Sequence, residues 1–400
     1  MNLLIKGARI VDFNKDFKGD IYIEKGKIKD FGSNLNYDCK TIHCDNLVVM
    51  PSFIDMHTHF RDPGFTYKED LNSGSKAALK GGYTFVNLMA NTNPICSSME
   101  VVDYVLKKSE ELNLIDIHQT VSITKDFDGK TLEHIDSLGK EIRFLSDDGK
   151  GVQESGVMYE AFKKAKEKGL IIIAHEEDAS LASIDSRLSE NIMTFRDIEL
   201  VRTTKGRLHL AHVSTKESIE EIIKGKKEGL NITCEVTPHH ISLYDNSYKV
   251  NPPIRNKEDV LALIEAIKAG YVDAIGTDHA PHSAEDKRGG ACGISGLETA
   301  FSISYTALVR NGHISLNKLS QIMSSNPGNI VDINKGKIEI GYDGDLVVLD
   351  LNKEIEINSK EFVSKGKNTP FHGKKFWGEV VATIKNGNLK YNGGIEIDNR

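Results

Sequence analysis

Two histidines one residue apart, His57 and His59, stand at the end of the apolar run VVMPSFIDM. Side chains in an extended strand alternate between faces, so both imidazoles point to the same side. Two nitrogen donors on one face can chelate a borderline metal such as zinc. Single histidines, His175 and His212, lie in two further apolar runs, LIIIAHE and RLHLAHVS. Taken singly, such histidines are more often hydrogen-bonded core residues than ligands. Together they supply two more donors, suited to a second metal. Two metals held about 3.5–4 Å apart need a bridging anion. The run IRFLSDDG offers Asp147 and Asp148 for that place, although a plain turn would use the same residues. Alternation puts Asp148 on one side of its strand with Phe144 and Ser146, and Asp147 on the other with Leu145; it does not say which side faces inward. Asp278, in GTDHAPH, is the best acid/base candidate. A carboxylate beside a metal-bound hydroxide can take its proton and hand it to a leaving nitrogen. The competing role for that aspartate is a cap.

These residues do chemistry only if the fold gathers them. Eight apolar segments read as strands: 53–59, 84–90, 117–123, 142–148, 170–176, 207–214, 231–237 and 273–279. The stretches between them are mostly helical, and two of them, YEAFKKAKEKG and EDVLALIEAIKAG, stop at glycine as helices often do. Residues 180–200 are polar and irregular, so a loop is expected to take part of that stretch. Eight strand–helix units in succession argue for a closed parallel barrel, whose strands end at one shared mouth. His57, His59, the Asp147–Asp148 pair, His175, His212 and Asp278 all fall at such ends. So does Asn91 after the second strand, and His239, His240 and Asn251 follow the seventh.

The flanking sequence has another texture. Residues 1–50 and 341–400 are short alternating segments with Lys-Gly turns, the pattern of antiparallel hairpins. Neither end holds enough apolar surface to fold alone. Both are expected to build one small β-sandwich domain beside a catalytic barrel of residues 51–340, an α/β fold of the (β/α)₈ TIM-like class. The 400 residues suffice for a barrel of about 250 residues plus such a module. A net charge of −7 argues against a non-specific nucleic-acid binder. No apolar run approaches the roughly 20 residues of a membrane span. The start, MNLLIKGARIVD, reads as a strand rather than a signal peptide. The five cysteines, Cys39, Cys44, Cys96, Cys234 and Cys292, form no CxxC pair and fit free thiols in a reducing cytoplasm.

The motifs HTHFRDPG, MANTNP, FLSDDGKGVQ, AHVSTK, EVTPHH, NPPIR, TDHAPH and SKGKNTPF resemble, in order and spacing, those of the class I bacterial dihydroorotases of the amidohydrolase superfamily. The resemblance covers nearly the whole chain. It implies reversible, zinc-dependent cyclisation of N-carbamoyl-L-aspartate to L-dihydroorotate, in pyrimidine biosynthesis. It implies two zinc ions per chain. His57, His59 and Asp278 would hold one, His175 and His212 the other, with Asp148 and a hydroxide as bridges. Related hydantoinases and allantoinases use a carboxylated lysine there; Lys150 is offset and is not given that role. Arg61 and Asn91 would bind the substrate carboxylate, helped by Asn251 and His282, with backbone near Cys292 and Gly293 against the ring. An arginine fork suits a carboxylate, and Arg61 would share a side with His59 if the chain stayed extended. A homodimer and docking with aspartate carbamoyltransferase are assemblies that the resemblance allows. The chain departs from the family in Ala90, in Phe60 and Asp62, in Ala291 and Cys292, and in a shorter segment between the fifth and sixth strands.

Overall fold

The computed structural model describes residues 2–398. Its centre is a ring of eight parallel strands: Phe53–Thr58, Tyr83–Leu88, Asp116–Gln119, Phe144–Leu145, Ile171–Ala174, Leu208–Leu210, Ile232–Val236 and Ala274–Ile275. Consecutive strands pair in parallel. Single bridges, Val121 with Leu145 and Thr58 with His279, close the ring between strands three and four and between eight and one. All eight expected strands are present, each shorter than its apolar run. The chain leaves the ladder where the ligand-type residues begin, and those residues form the mouth.

Helices wrap the ring: α1 (Leu71–Lys80), α2 (Met99–Leu112), α3 (Ser155–Lys168), α4 (Ser186–Thr204), α5 (Lys216–Lys227) and α6 (Lys257–Ala269). Helices α3 and α6 do stop at glycine. Gly169 and Gly270 take φ of 71° and 86°, a left-handed turn that costs glycine no Cβ clash.

Residues 180–185 form the expected loop, and the rest of that stretch belongs to α4, a helix of 19 residues capped by Asp185, whose carboxylate accepts the N–H groups of Arg187 and Leu188. The stretch read as irregular because the buried face of this helix mixes polar residues with Met193, Ile198 and Val201. Glu190, Asn191, Thr194 and Asp197 are buried, whereas Leu188, Ile192 and Phe195 are exposed. Burying polar groups is tolerable when they are hydrogen-bonded. Glu190 accepts from the backbone of Ser214 and Thr215, both at 3.0 Å, and pairs with Arg255 at 3.1 Å. Asn191 accepts from the hydroxyls of Thr215 and Ser218 at 2.6 and 3.1 Å.

The two chain ends meet in one nine-stranded sheet. Val48–Pro51 joins them: it pairs in parallel with Asn2–Val11 and antiparallel with Leu346–Glu356. The sheet closes over its own apolar core, with Ile5, Ile10, Ile21, Val49, Val348 and Ile384 fully buried. Pro51 lies two residues before the first barrel strand, so this sheet anchors the strand that carries His57. No helix among the described residues is long and apolar enough to cross a membrane.

A buried ion cluster ties the sheet to the barrel. The Lys335 ammonium lies 2.8 Å from Asp116 at the start of the third barrel strand, and 2.9 and 2.6 Å from Asp343 and Asp345. Without Lys335 the buried Asp345 loses its cation in a medium that disfavours bare charge, whereas Asp116 keeps Lys385 and Asp343 keeps Lys27. Lys335→Met is expected to lower the unfolding free energy by about 3–5 kcal/mol. Urea unfolding checks this, and an unchanged midpoint would show that the cluster does not join the two parts.

Candidate active site

The strand ends bring His57, His59, Asp148, His175, His212 and Asp278 together, all buried. Asp148 is the hub. Its Oδ1 lies 3.4 Å from His57 Nε2, 3.6 Å from His175 Nδ1 and 3.7 Å from His212 Nε2, and its Oδ2 lies 3.5 Å from His59 Nε2. Asp278 Oδ1 sits 3.1 Å from His59 Nε2 and 3.7 Å from His57 Nε2. Side-chain alternation left Asp147 and Asp148 undecided, and the structure separates them. Asp147 turns away and accepts the N–H groups of Ile123 and Thr124, at 2.7 and 3.0 Å, and the Thr124 hydroxyl at 2.5 Å. It pins a loop, and only Asp148 faces the histidines.

Hydrogen bonds behind the imidazoles set their orientation. His57 Nδ1–H donates to Glu235 at 2.7 Å, and His59 Nδ1–H donates to Asn91 Oδ1 at 2.8 Å. Each ring thereby presents its Nε2 atom to Asp148 and Asp278. Asp55 accepts from Thr277, through backbone N–H at 3.0 Å and hydroxyl at 2.5 Å, and so fixes the residue before Asp278. That support matters because Asp278 and His212 hold left-handed backbone, with φ of 47° and 34°. Such conformations persist where surrounding contacts over-determine them.

Charge follows the same arrangement. Burial alone would raise Asp148, but the imidazoles of His57, His175 and His212 around it hold its carboxyl well below the ordinary range. Asp278 is likewise lowered against its burial, through the His59 hydrogen bond and the charge of His57. Burial opposes charge on His175, yet Asp148 and Glu177 push it up to about 10. Glu235, buried between His57 and His209, is held down to about 2 by those imidazoles against its desolvation. The carboxylates are thus kept ionised by cationic neighbours.

A metal cation fits this constellation. His57 Nε2 and Asp148 Oδ1 are buried, face each other and have no hydrogen-bond partner. Leaving two such atoms unsatisfied is costly, and a shared cation satisfies both. Two groups, His57–His59–Asp278 and His57–Asp148–His212, each keep their donor atoms within 4.8 Å of one another. Imidazole nitrogen with carboxylate oxygen is a donor set for zinc and similar ions.

The residues expected to meet a substrate fall into two kinds. Arg61 does not continue an extended chain; it sits in a turn with φ of 60°. Its guanidinium still reaches the site, where Asp278 and Asp148 act on its charge, and it makes no hydrogen bond to protein among the described residues. Asn251 Nδ2 donates to Glu177 at 2.5 Å and lies 3.2 Å from His175 Nε2. His282 is pushed down to about 3 by burial and by the charges of Arg61 and Lys68, so its ring is neutral. Gly293 packs against His282, but its own N–H donates to Lys249 and its carbonyl accepts from Asn368. Cys292 beside it is exposed. Lys150 contacts the Phe127 carbonyl at 3.4 Å, away from Asp148. His240 is locked between Thr237 and the Pro252 carbonyl, while His239 Nε2 is buried without a partner.

Three functional supports escaped the sequence reading: Glu235, Asp55 and Glu177. The first two had a signal. Each is a carboxylate in the middle of an apolar strand, ITCEV and FIDMH, where a charge persists only with partners. Glu235→Gln would leave the His57 hydrogen bond but remove the charge behind it. Zinc or cobalt affinity measured by competition with a chelator should fall about 10- to 100-fold. Unchanged affinity would mean that Glu235 only packs.

A model of the amidohydrolase family matches residues 48–390. A curated dihydroorotase of Clostridium botulinum (strain Eklund 17B / Type B) is 56% identical over 396 residues, covering 98% of this chain and all of that protein. The dihydroorotase of Caldanaerobacter subterraneus subsp. tengcongensis is 39% identical, covering 98% and 97%. Among solved structures, dihydropyrimidinase from Brevibacillus agri superposes with a TM-score of 0.89 at 22% identity, covering 98% of this chain and 95% of that one, a likeness of fold. D-hydantoinase from Thermus sp. gives 0.88 at 26% identity, covering 100% and 97%. The barrel, the donor constellation at its mouth and the end-to-end identity agree: the chain belongs to the amidohydrolase family and, within it, to the dihydroorotases.

Proposed function

We propose that the chain interconverts N-carbamoyl-L-aspartate and L-dihydroorotate, the cyclisation step of pyrimidine biosynthesis. The observation that carries this reading is Arg61. A cationic fork without a protein partner, next to a buried histidine–carboxylate centre, calls for a substrate that carries a carboxylate. Dihydroorotate carries one beside its cyclic amide. The identity with dihydroorotases along the full length supports the same substrate.

His57, His59 and Asp278 would hold one zinc ion, and His175 and His212 a second, with Asp148 between them. When bound, the metal polarises the amide carbonyl and lowers the pKa of water. The remaining work belongs to side chains. Arg61 binds the substrate carboxylate, and Asn91, whose oxygen is taken by His59, still has its amide N–H groups to donate. Asn251 and the neutral His282 would help them hold that carboxylate. Asp278 is ionised, so in ring opening its carboxylate accepts a proton from the water whose oxygen bonds to the amide carbon, and returns it to the ring nitrogen as the C–N bond breaks. In synthesis the same atoms move in reverse. Burial of the centre excludes bulk water from these transfers. Cytoplasmic location fits the five free thiols.

Loss of ultraviolet absorbance on adding dihydroorotate, with zinc quantified on the same protein, tests the reading. Ring opening with about two zinc ions per chain is expected. Full metal with turnover only of hydantoins or dihydropyrimidines would overturn it. Asp278→Asn should retain metal in part and lower kcat by about 10²- to 10⁴-fold. Arg61→Met should raise KM for dihydroorotate far more than for an uncharged cyclic imide. Equal effects on both would remove Arg61 from carboxylate binding.

A further inference from the structure

The motif SKGKNTPF belongs to an excursion of the small sheet. The chain leaves that sheet after Leu346–Glu356 and rejoins it at Lys375–Lys385. Between the two strands it crosses to the mouth of the barrel, where Asn368 meets the exit of the eighth strand. Asn368 is buried, and its side-chain amide is fully used. Its Nδ2 donates to the carbonyls of Ala280 at 3.0 Å and Gly293 at 2.9 Å. Its Oδ1 accepts the backbone N–H of His282 and the hydroxyl of Ser295, both at 2.9 Å. Three of these partners are backbone groups of fixed donor or acceptor character, so the amide has one orientation only. One planar group thereby ties the strand exit to the loop that returns to it. No other side chain of this size offers two donors and an oxygen able to accept twice. Aspartate has the shape without the donors, and leucine has neither donors nor acceptor.

The surroundings leave this clamp little slack. A Cβ on Gly366 would come within 2.6 Å of Pro281 Cβ and Ser295 Oγ and 2.8 Å of Asn368 Oδ1, so the segment approaches as closely as glycine permits. Upstream, the N–H groups of Ser364 and Val363 donate to Glu298 at 3.0 and 2.9 Å, and the Ser364 hydroxyl donates to Glu69. The His282 ring in turn packs against Gly293, where an added Cβ would lie 3.3 Å from it.

We propose that Asn368 is a positioning residue for the carboxylate end of the substrate: it fixes the backbone of His282, and so the place of the ring that assists Arg61. This rests on dihydroorotate as the substrate and on His282 as a helper of its carboxylate. All four side-chain bonds of Asn368 go to protein, so it acts through His282 and not on the substrate. A shift of about 1 Å in that backbone carries the imidazole with it, and a misplacement of that size costs as much as about 10²-fold.

Steady-state kinetics of Asn368→Asp in the metal-loaded chain test this. The variant keeps the shape but sets a carboxylate against two carbonyls. KM for dihydroorotate should rise at least about 10-fold, with kcat little changed and zinc content that of wild type. KM for an uncharged cyclic imide should move far less. Combined with His282→Ala, the rise should be smaller than the product of the separate factors. Equal rises for both substrates, or strictly multiplicative factors, would reduce Asn368 to packing and overturn the proposal. Hydrogen exchange of the His282 amide needs no substrate. It should quicken at least about 10-fold in the variant, and unchanged protection would also overturn the proposal. A wild type that leaves dihydroorotate intact would sink the substrate reading alone, and exchange at His282 would still decide the clamp. If Asn368→Asp fails to fold, Asn368→Ser, smaller and still polar, takes its place under the same criteria.

Discussion

The arrangement around Asp148 governs the rest of the site. A carboxylate taken out of water must be compensated, or it protonates and its neighbours lose their reason to converge. Here four imidazoles surround it, from the first, fifth and sixth barrel strands, and its two oxygens divide between them. No one strand–helix unit could supply that many partners. The barrel supplies them because parallel strands end at one face. The supports one layer back have the same origin. Glu235 comes from the seventh strand to orient His57, and Asn91 follows the second to orient His59.

Buried polarity recurs as a structural device outside the metal-type centre. Lys335 is held by three aspartates where the barrel meets the two-ended sheet. Glu190 on α4 is satisfied by the loop after the sixth strand and by Arg255. In both cases the contacts cross between distant parts of the chain and lose their value if either side shifts. They specify geometry more than they add stability, since desolvation offsets much of the attraction. The site therefore inherits rigidity from the sheet, through the strand that carries His57, and from α4, through the loops beyond His175 and His212.

Much of this was legible in order. Apolar runs ending in His, Asp or Asn revealed the eight strands and their common mouth, because a strand's burial and its polar terminus are both local properties. The small sheet was legible in its alternation and turns. The helical part of residues 180–200 was not, because pattern reading assumes that a helix hides apolar residues and shows polar ones, and α4 buries Glu190, Asn191, Thr194 and Asp197 beside Met193, Ile198 and Val201. Arg61 was expected near His59 along an extended chain; it arrives there through a left-handed turn instead.

The sequence by itself determined which residue types could bind metal and move protons, and that they sit at strand ends. Residue type and period-two alternation act over a few positions, so they can be read from them. Only the tertiary structure decided between Asp147 and Asp148, since that depends on which side of the fourth strand faces the axis. It alone paired Glu235 with His57, Thr277 with Asp55 and Lys335 with Asp116, across 178, 222 and more than two hundred residues. The first two are set by barrel closure, a property of all eight strands together, and the third by the docking of the two-ended sheet on the barrel; none belongs to a segment alone.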